Sequence, residues 1–261
     1  MKPNLILLIT LAAALFCLQS SAFSQVPKKL RPPNDATDTY EVLKLRGWTL
    51  RISHRFKPHD DLKKEVLEEV DSQLRRITLL VGEKALAELR KTEIWIEHEF
   101  PGRAQYHPNR QWLTDNGYNP EKTGTIEIAH AKGFLEWRDR TVMTLLHELA
   151  HAYHDKSLGF EEPRVIAAYE AAKKSGRYDK ILRDKGYMIK HYAMDNHKEY
   201  FAEMVEAYFW CNDYYPFVYG ELKEFDPQGF KVMEDIFGKR FEDDPRVHEE
   251  GKKKEVVEKK E

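Results

Sequence analysis

Long hydrophobic runs are absent from this sequence except at its start, where no charged residue occurs from Leu5 to Leu18. That run is shorter than the roughly 20 apolar residues that a transmembrane helix needs. Lys2 precedes it and the small residues of Ala22-Phe-Ser24 follow it, a pattern typical of a cleaved secretory signal. We therefore predict a signal peptide over residues 1–24 and an extracytoplasmic location, secreted or periplasmic, without stable membrane insertion after cleavage. An uncleaved N-terminal anchor is the alternative.

Cysteine is nearly absent, and the two that occur are Cys17 and Cys211. Cys17 lies within the predicted signal, so Cys211 alone remains in the mature chain. A single cysteine cannot form an internal disulfide, even in an oxidising compartment. The mature chain is nevertheless long enough for a hydrophobic core to stabilise one domain without cross-links.

An excess of charge of either sign is also missing, because 42 basic side chains balance 44 acidic ones. Such a balance gives no sign of the basic surface that binds nucleic acid, so we predict no nucleic-acid partner. Composition divides the mature chain into three parts. These are a proline-containing linker over 25–39, a folded domain over 40–241, and a Lys- and Glu-rich tail over 242–261 that is typical of disorder.

The most informative motif is His147-Glu148-Leu-Ala-His151, which lies in an apolar stretch. In a helix, this spacing places His147 and His151 one turn apart on one face, so both imidazoles can bind the same zinc ion. Glu148 lies beside them, where a carboxylate can act as general base toward the attacking water. The same pattern also occurs by chance on ordinary amphipathic helices, so a third ligand must decide between the two interpretations.

The residues that directly follow the motif do not provide that ligand in the metzincin manner. His154 stands where the metzincin pattern needs Gly, and Ser157 stands where it needs its third His. His154 does share a face with the two motif histidines. However, ligands on three successive turns drift along the helix axis, so we assign His154 a supporting role next to the ligands.

A second segment, which extends from Tyr192 to Glu203, offers a better third ligand. Glu199 and Glu203 are four positions apart and project from the same face of a helix. Glu199 would complete a His, His, Glu set, and Glu203 would accept the free N–H of a ligating histidine. A solvated acidic stripe is the alternative. The neighbouring residues are largely apolar, however, and carboxylates in apolar surroundings need a partner.

Taken together, the two motifs resemble those of the glutamate zincins. The second is most similar to the catalytic domain of anthrax toxin lethal factor and its bacterial relatives, on the evidence of Tyr192, Asn196 and the Glu199–Glu203 run. The sequence departs from that family at Tyr200, where the family has Phe. The resemblance covers residues 90–240, so the toxin's receptor-binding and substrate-docking domains, and its substrate specificity, are not implied.

The resemblance implies a zincin-like α+β domain with one catalytic Zn²⁺. It implies His147, His151 and Glu199 as the metal ligands. It also implies Glu148 as the general base and Tyr192 as a hydroxyl donor to the transition-state oxyanion.

The remaining periodicity predicts a small twisted sheet and several helices. Alternating apolar residues predict a hairpin over 40–53 and strands over 93–100 and 125–130. Apolar residues at helical spacing predict helices over 60–82, 163–185 and 230–237, besides the two that carry the motifs. These elements favour an α+β fold, and the resemblance to zincins implies that the two motif helices cross beneath the edge of the sheet.

Two of these segments bear on function. By the resemblance, the strand at 125–130 would form the edge of the sheet over the active site, where an extended peptide can pair with it. Residues 101–124 lack periodicity but are rich in aromatic side chains. They are either a roof over part of the cleft or a loop held in place by its own aromatics.

The sequence thus predicts a secreted zinc metalloendopeptidase that acts on a peptide or protein substrate. One alternative is an extracytoplasmic zinc-binding module without turnover, which would have no need of Glu148 as a base. Another alternative is a zinc amidase that acts on cell-wall material.

Overall fold

The computed structural model describes residues 34–136, 138 and 143–240. The predicted signal peptide, the predicted tail and residues 25–33 of the predicted linker lie outside the described residues. Within them the chain has a mixed α+β fold, as the sequence predicts. None of the described helices is long and apolar enough to cross a membrane.

Within the described residues, the strands form one five-stranded sheet and one small hairpin. The five-stranded sheet has the order β1-β2-β3-β5-β4, and its strands are β1 (Glu41–Leu45), β2 (Trp48–Ile52), β3 (Ile94–Ile96), β4 (Glu99–Tyr106) and β5 (Ile126–His130). The small hairpin pairs β6 (Ile181–Leu182) with β7 (Met188–Ile189).

The helices fall into three groups along the chain, separated by β5 and by the small hairpin. The helices before β5 are α1 (Asp60–Leu80), α2 (Glu83–Leu89) and α3 (Arg110–Asp115). Between β5 and β6 the chain forms α4 (Ala131–Leu135), α5 (Thr144–Tyr153) and α6 (Pro163–Ser175). After β7 it forms α7 (His197–Phe209), α8 (Tyr219–Phe225) and α9 (Pro227–Phe237).

The predicted hairpin at the start of the sheet is confirmed. Strands β1 and β2 pair antiparallel and are joined by Arg46-Gly47, with φ values of 49° and 94°. Two positive φ values suit a tight two-residue hairpin turn, which is why Gly stands at the second position. Strand β2 then pairs parallel with β3, and β3 pairs parallel with β5.

The edge of the sheet differs from the prediction. Strand β5, predicted as the edge, lies between β3 and β4 and pairs with both, so that prediction is wrong. The edge strand is β4, which begins where the predicted strand over 93–100 ends and continues into the supposed loop. Pro101-Gly102 and an irregular register between Glu99 and Ala104 interrupt the alternation of β4, which is why the sequence pattern did not reveal it.

One face of the sheet packs on the helices. Ile126 and Ile128 of β5 belong to the main core, together with the buried side of α1 formed by Val66, Val70, Leu74 and Ile77. Full burial of side chains of this size stabilises the fold by about 1.5–3 kcal/mol each. The helix predicted over 60–82 is therefore confirmed, with its apolar face toward the sheet.

The segment 101–124 covers the other face of the sheet. Ala129 alternates with Ile128 along β5 and forms a separate buried cluster with Phe100, Leu113 and Tyr118. The ring of Trp112 stacks on Tyr118 at a centroid distance of 5.3 Å. The aromatic side chains of the segment do pack on one another, but residues 101–106 and 110–115 form β4 and α3 and are therefore not a loop.

A buried ionic cluster fastens this segment to the sheet. Lys122 is 1% exposed, and its ammonium group donates to Glu97 Oε1 at 2.6 Å and to Glu127. His107 Nε2 lies 2.8 Å from the other oxygen of Glu127, and the Tyr40 hydroxyl donates to Glu97 at 2.6 Å. Burial opposes ionisation of Glu127, but Lys122 and His107 outweigh it and lower the pKa of this carboxyl to about 2. This cluster thus joins the covering segment to the sheet, and it also binds Tyr40, the residue before β1.

Candidate metal centre

Helices α5 and α7 pack against each other and carry the two motifs. In α5, Leu145, Leu146 and Leu149 are buried, which holds the helix rigidly in the core. Helix α7 begins after Asn196, whose side chain accepts hydrogen bonds from the backbone N–H groups of Lys198 and Glu199. This cap fixes the first turn of α7, and therefore the position of Glu199.

The three predicted ligands converge. His147 Nε2 lies 3.2 Å from Glu199 Oε2 and 3.1 Å from His151 Nε2, and His151 Nε2 lies 3.3 Å from the same carboxylate oxygen. Donor atoms around a tetrahedral zinc ion at its usual bond lengths lie about 3.3 Å from one another. Two imidazoles and one carboxylate are also a ligand set that zinc prefers. The three residues therefore fit a zinc ion in both chemistry and spacing.

Partial exposure leaves this group accessible. The side chains of His147, His151 and Glu199 are 13%, 12% and 18% exposed, respectively. Burial alone would raise the pKa of Glu199, but the two imidazoles outweigh it and lower the pKa well below the usual 4.5. The carboxylate is thus ionised and available as a metal ligand at neutral pH.

Glu148 is held against the edge of the sheet. Its Oε2 accepts a hydrogen bond from the backbone N–H of Tyr106, the last residue of β4, at 2.7 Å. Burial raises the pKa of Glu148 above its usual 4.5, although His147 and His151 oppose the shift. A raised pKa brings a carboxylate closer to the working pH of a general base.

Tyr192 lies in the short 3-10 turn that precedes α7. Its ring centre is 6.5 Å from that of His147, the two rings are nearly parallel, and the side chain is 38% exposed. Burial and the charge of Glu199 raise the pKa of the Tyr192 hydroxyl above its usual 10, so the hydroxyl keeps its proton. The protonated hydroxyl is thus available as a hydrogen-bond donor, on a ring that lies beside the candidate ligand His147.

Glu203 does not form the predicted hydrogen bond to one of the two motif histidines. Glu206 forms that contact instead. Glu206 Oε1 lies 2.8 Å from His147 Nδ1, whereas Glu203 Oε1 lies 3.7 Å from it, beyond hydrogen-bond distance. Glu203 instead accepts a hydrogen bond from the Asn212 side chain at 2.8 Å. Sequence reasoning missed Glu206. The spacing did contain a signal, since residues 199, 203 and 206 share one face of a helix.

His154 does not support the ligands in the predicted way. It is fully buried, and neither ring nitrogen has a hydrogen-bond partner among the described residues. Its ring packs on Phe201 and Phe160, at centroid distances of 4.6 and 5.3 Å. Burial lowers its pKa to about 3, so the ring stays neutral and behaves as an apolar packing residue.

Comparison of the chain with models of protein families, with curated proteins and with solved structures finds no match. The resemblance to the glutamate zincins therefore rests on the sequence motifs named above.

Proposed function

We propose that this chain is an extracytoplasmic zinc metallopeptidase with a zincin-like fold, in which His147, His151 and Glu199 hold one catalytic Zn²⁺. The observation that carries the proposal is the convergence of three donor atoms at 3.1–3.3 Å, with Glu148 directly after His147 in the same helix. A chance His-Glu-x-x-His pattern on a surface helix would not bring a carboxylate from a second helix to the same point.

When bound, zinc would act as a Lewis acid toward the substrate carbonyl and lower the pKa of water from about 15.7 toward about 7. Glu148 accepts a proton from the attacking water and returns it to the nitrogen of the leaving amine. The Tyr192 hydroxyl donates a hydrogen bond to the carbonyl oxygen as that oxygen gains negative charge. These roles together correspond to hydrolysis of a peptide bond.

The direct test is digestion of a diverse peptide library by the mature protein with added zinc, analysed by mass spectrometry. We expect cleavage products that a chelator abolishes. Cleavage confined to a parallel panel of muropeptides would favour a cell-wall amidase, and zinc binding without any cleavage would favour a binding module.

Zinc should bind at one ion per chain and stabilise the fold. At a free zinc concentration 1,000-fold above Kd, ligand linkage stabilises the folded state by about 4 kcal/mol. We expect Glu199→Ala to lose most of this stabilisation because it removes one of three ligands, as measured by thermal unfolding with and without zinc. The matched control is Glu170→Ala, an exposed glutamate on α6, which should keep the full zinc response. An unchanged response in Glu199→Ala would contradict the assignment.

Tyr192→Phe should slow turnover without weakening zinc binding, because it removes a donor to the reacting oxygen and no metal ligand. Loss of one such donor typically lowers kcat about 100-fold to 1,000-fold. Steady-state kinetics on a library-derived peptide, together with zinc titration, would measure both quantities. A variant with wild-type kcat would remove Tyr192 from the mechanism.

A further inference from the structure

We infer that Glu206 is the positioning residue of His147, and that it orients the imidazole so that its Nε2 lone pair faces the other two donor atoms. The inference rests on the proposed function, because it concerns the same metal-binding group. Glu206 belongs to neither of the two sequence motifs.

The two nitrogens of His147 face different partners. Nε2 faces His151 and Glu199 at 3.1 and 3.2 Å, while Nδ1 lies 2.8 Å from Glu206 Oε1. A neutral imidazole has one N–H donor and one lone pair, and the group next to one nitrogen decides which form is present. A carboxylate at Nδ1 accepts the N–H there and leaves the lone pair on Nε2. This is the form that binds a metal through Nε2.

Glu206 is well suited to this task because little else competes for it. The residue is 1% exposed, so solvent does not reach the carboxylate. Its second oxygen, Oε2, has no hydrogen-bond partner within the described part of the chain. The contact with His147 is therefore the one hydrogen bond of this carboxylate among the described residues.

Glu203 has a different task, although it lies on the same face of α7. The Asn212 side chain donates to Glu203 Oε2 at 2.8 Å and to the Glu203 backbone carbonyl at 2.9 Å. These two bonds attach the chain that follows α7 to the helix itself. Glu203 therefore fastens a loop, and Glu206 orients the histidine.

The first experiment detects the hydrogen bond itself in the metal-free mature protein with ¹⁵N-labelled histidine. A carboxylate-bound imidazole N–H gives a downfield, slowly exchanging proton signal, which a purely structural role of Glu206 would not produce. We expect this signal at Nδ1 of His147, the nitrogen that faces Glu206, in the wild type and in Glu203→Gln, and we expect Glu206→Leu to abolish it there. If the leucine variant does not fold, Glu206→Gln retains the shape with a weaker acceptor and should shift the signal upfield.

The second experiment measures zinc affinity by competition with a chromogenic chelator. Loss of the partner of a ligating histidine typically weakens metal binding about 10-fold to 100-fold. We expect that loss in Glu206→Leu and less than a threefold change in Glu203→Gln. Equal losses in the two variants, or a proton signal that depends on Glu203, would overturn the inference. A wild-type protein that binds no zinc would instead refute the proposed function, while the proton signal still decides the role of Glu206.

Discussion

Glu148→Gln should abolish peptide hydrolysis while zinc binding remains. The amide cannot accept the proton of the attacking water, and general acid–base groups typically contribute about 100-fold to 10,000-fold to the rate. The amide oxygen can still accept the N–H of Tyr106, which lies 2.7 Å from the carboxylate, so the variant should fold normally. Because Glu148 is not one of the three converging donors, zinc affinity should stay close to that of the wild type.

The measurement is kcat/KM on a peptide found in the library digest, with zinc stoichiometry determined on the same samples. Glu161→Gln is the matched control, since it makes the same chemical change at an exposed position outside the site. A Glu148→Gln variant with full activity would refute the proposed mechanism. Loss of zinc together with activity would instead make Glu148 part of the metal-binding group.

Lys122→Met should destabilise the fold by about 3–5 kcal/mol, the usual cost of removing one partner from a buried ionic group. Methionine has a similar length, so the packing of the side chain is largely kept. The carboxylates of Glu97 and Glu127 would remain buried, with only the Tyr40 hydroxyl and His107 as described side-chain partners. Their desolvation would then no longer be balanced by the ammonium group of Lys122.

Urea denaturation of the metal-free protein at neutral pH would measure this loss. Lys64→Met is the control, because the Lys64 side chain is 75% exposed and should change the free energy of unfolding little. A loss below about 1 kcal/mol in Lys122→Met would show that the cluster contributes no more than a surface pair does.

The difference in the free energy of unfolding between Lys122→Met and the wild type should also depend on pH, and the lowered pKa of Glu127 predicts the direction. The pKa of Glu127 is lowered from 4.5 to about 2 in the folded protein, so its ionised form stabilises the fold above pH 4.5. That stabilisation is lost progressively as the pH falls from 4.5 toward 2. Because Lys122→Met removes the main cause of the lowered pKa, the gap between variant and wild type should narrow over this range. A gap that widened on acidification would contradict the described cluster.

The candidate ligands could be found from the sequence because helix geometry relates residues within one element. The spacing of His147 and His151 places them on one face whatever the rest of the fold does. Which of Glu203 and Glu206 contacts His147 could not be decided in this way. It depends on how α7 is rotated about its own axis against α5, and that rotation is decided by packing between many side chains of both helices. Sequence spacing could indicate the face but not the partner.

For the sheet, too, the sequence predicted single elements but not how they are placed next to one another. Local alternation revealed β1, β2 and β5, but it carries no information about which strand lies at the edge. Lys122 illustrates the difficulty in the covering segment. A lysine among polar and glycine residues is typical of an exposed loop, and its burial follows from Glu97 and Glu127, which lie on two different strands. Contacts of this kind become visible only when the strands are placed side by side.

The bond between Tyr106 and Glu148 also bears on how freely the chain can vary at position 106. The group that holds Glu148 is a backbone N–H, while the Tyr106 hydroxyl is engaged separately, by Asp155 at 2.7 Å. Every amino acid except proline supplies that N–H. The Glu148 carboxylate is thus held by the backbone of residue 106, which most substitutions leave unchanged. Replacement of the Tyr106 side chain would remove the hydrogen bond to Asp155 and keep the one to Glu148.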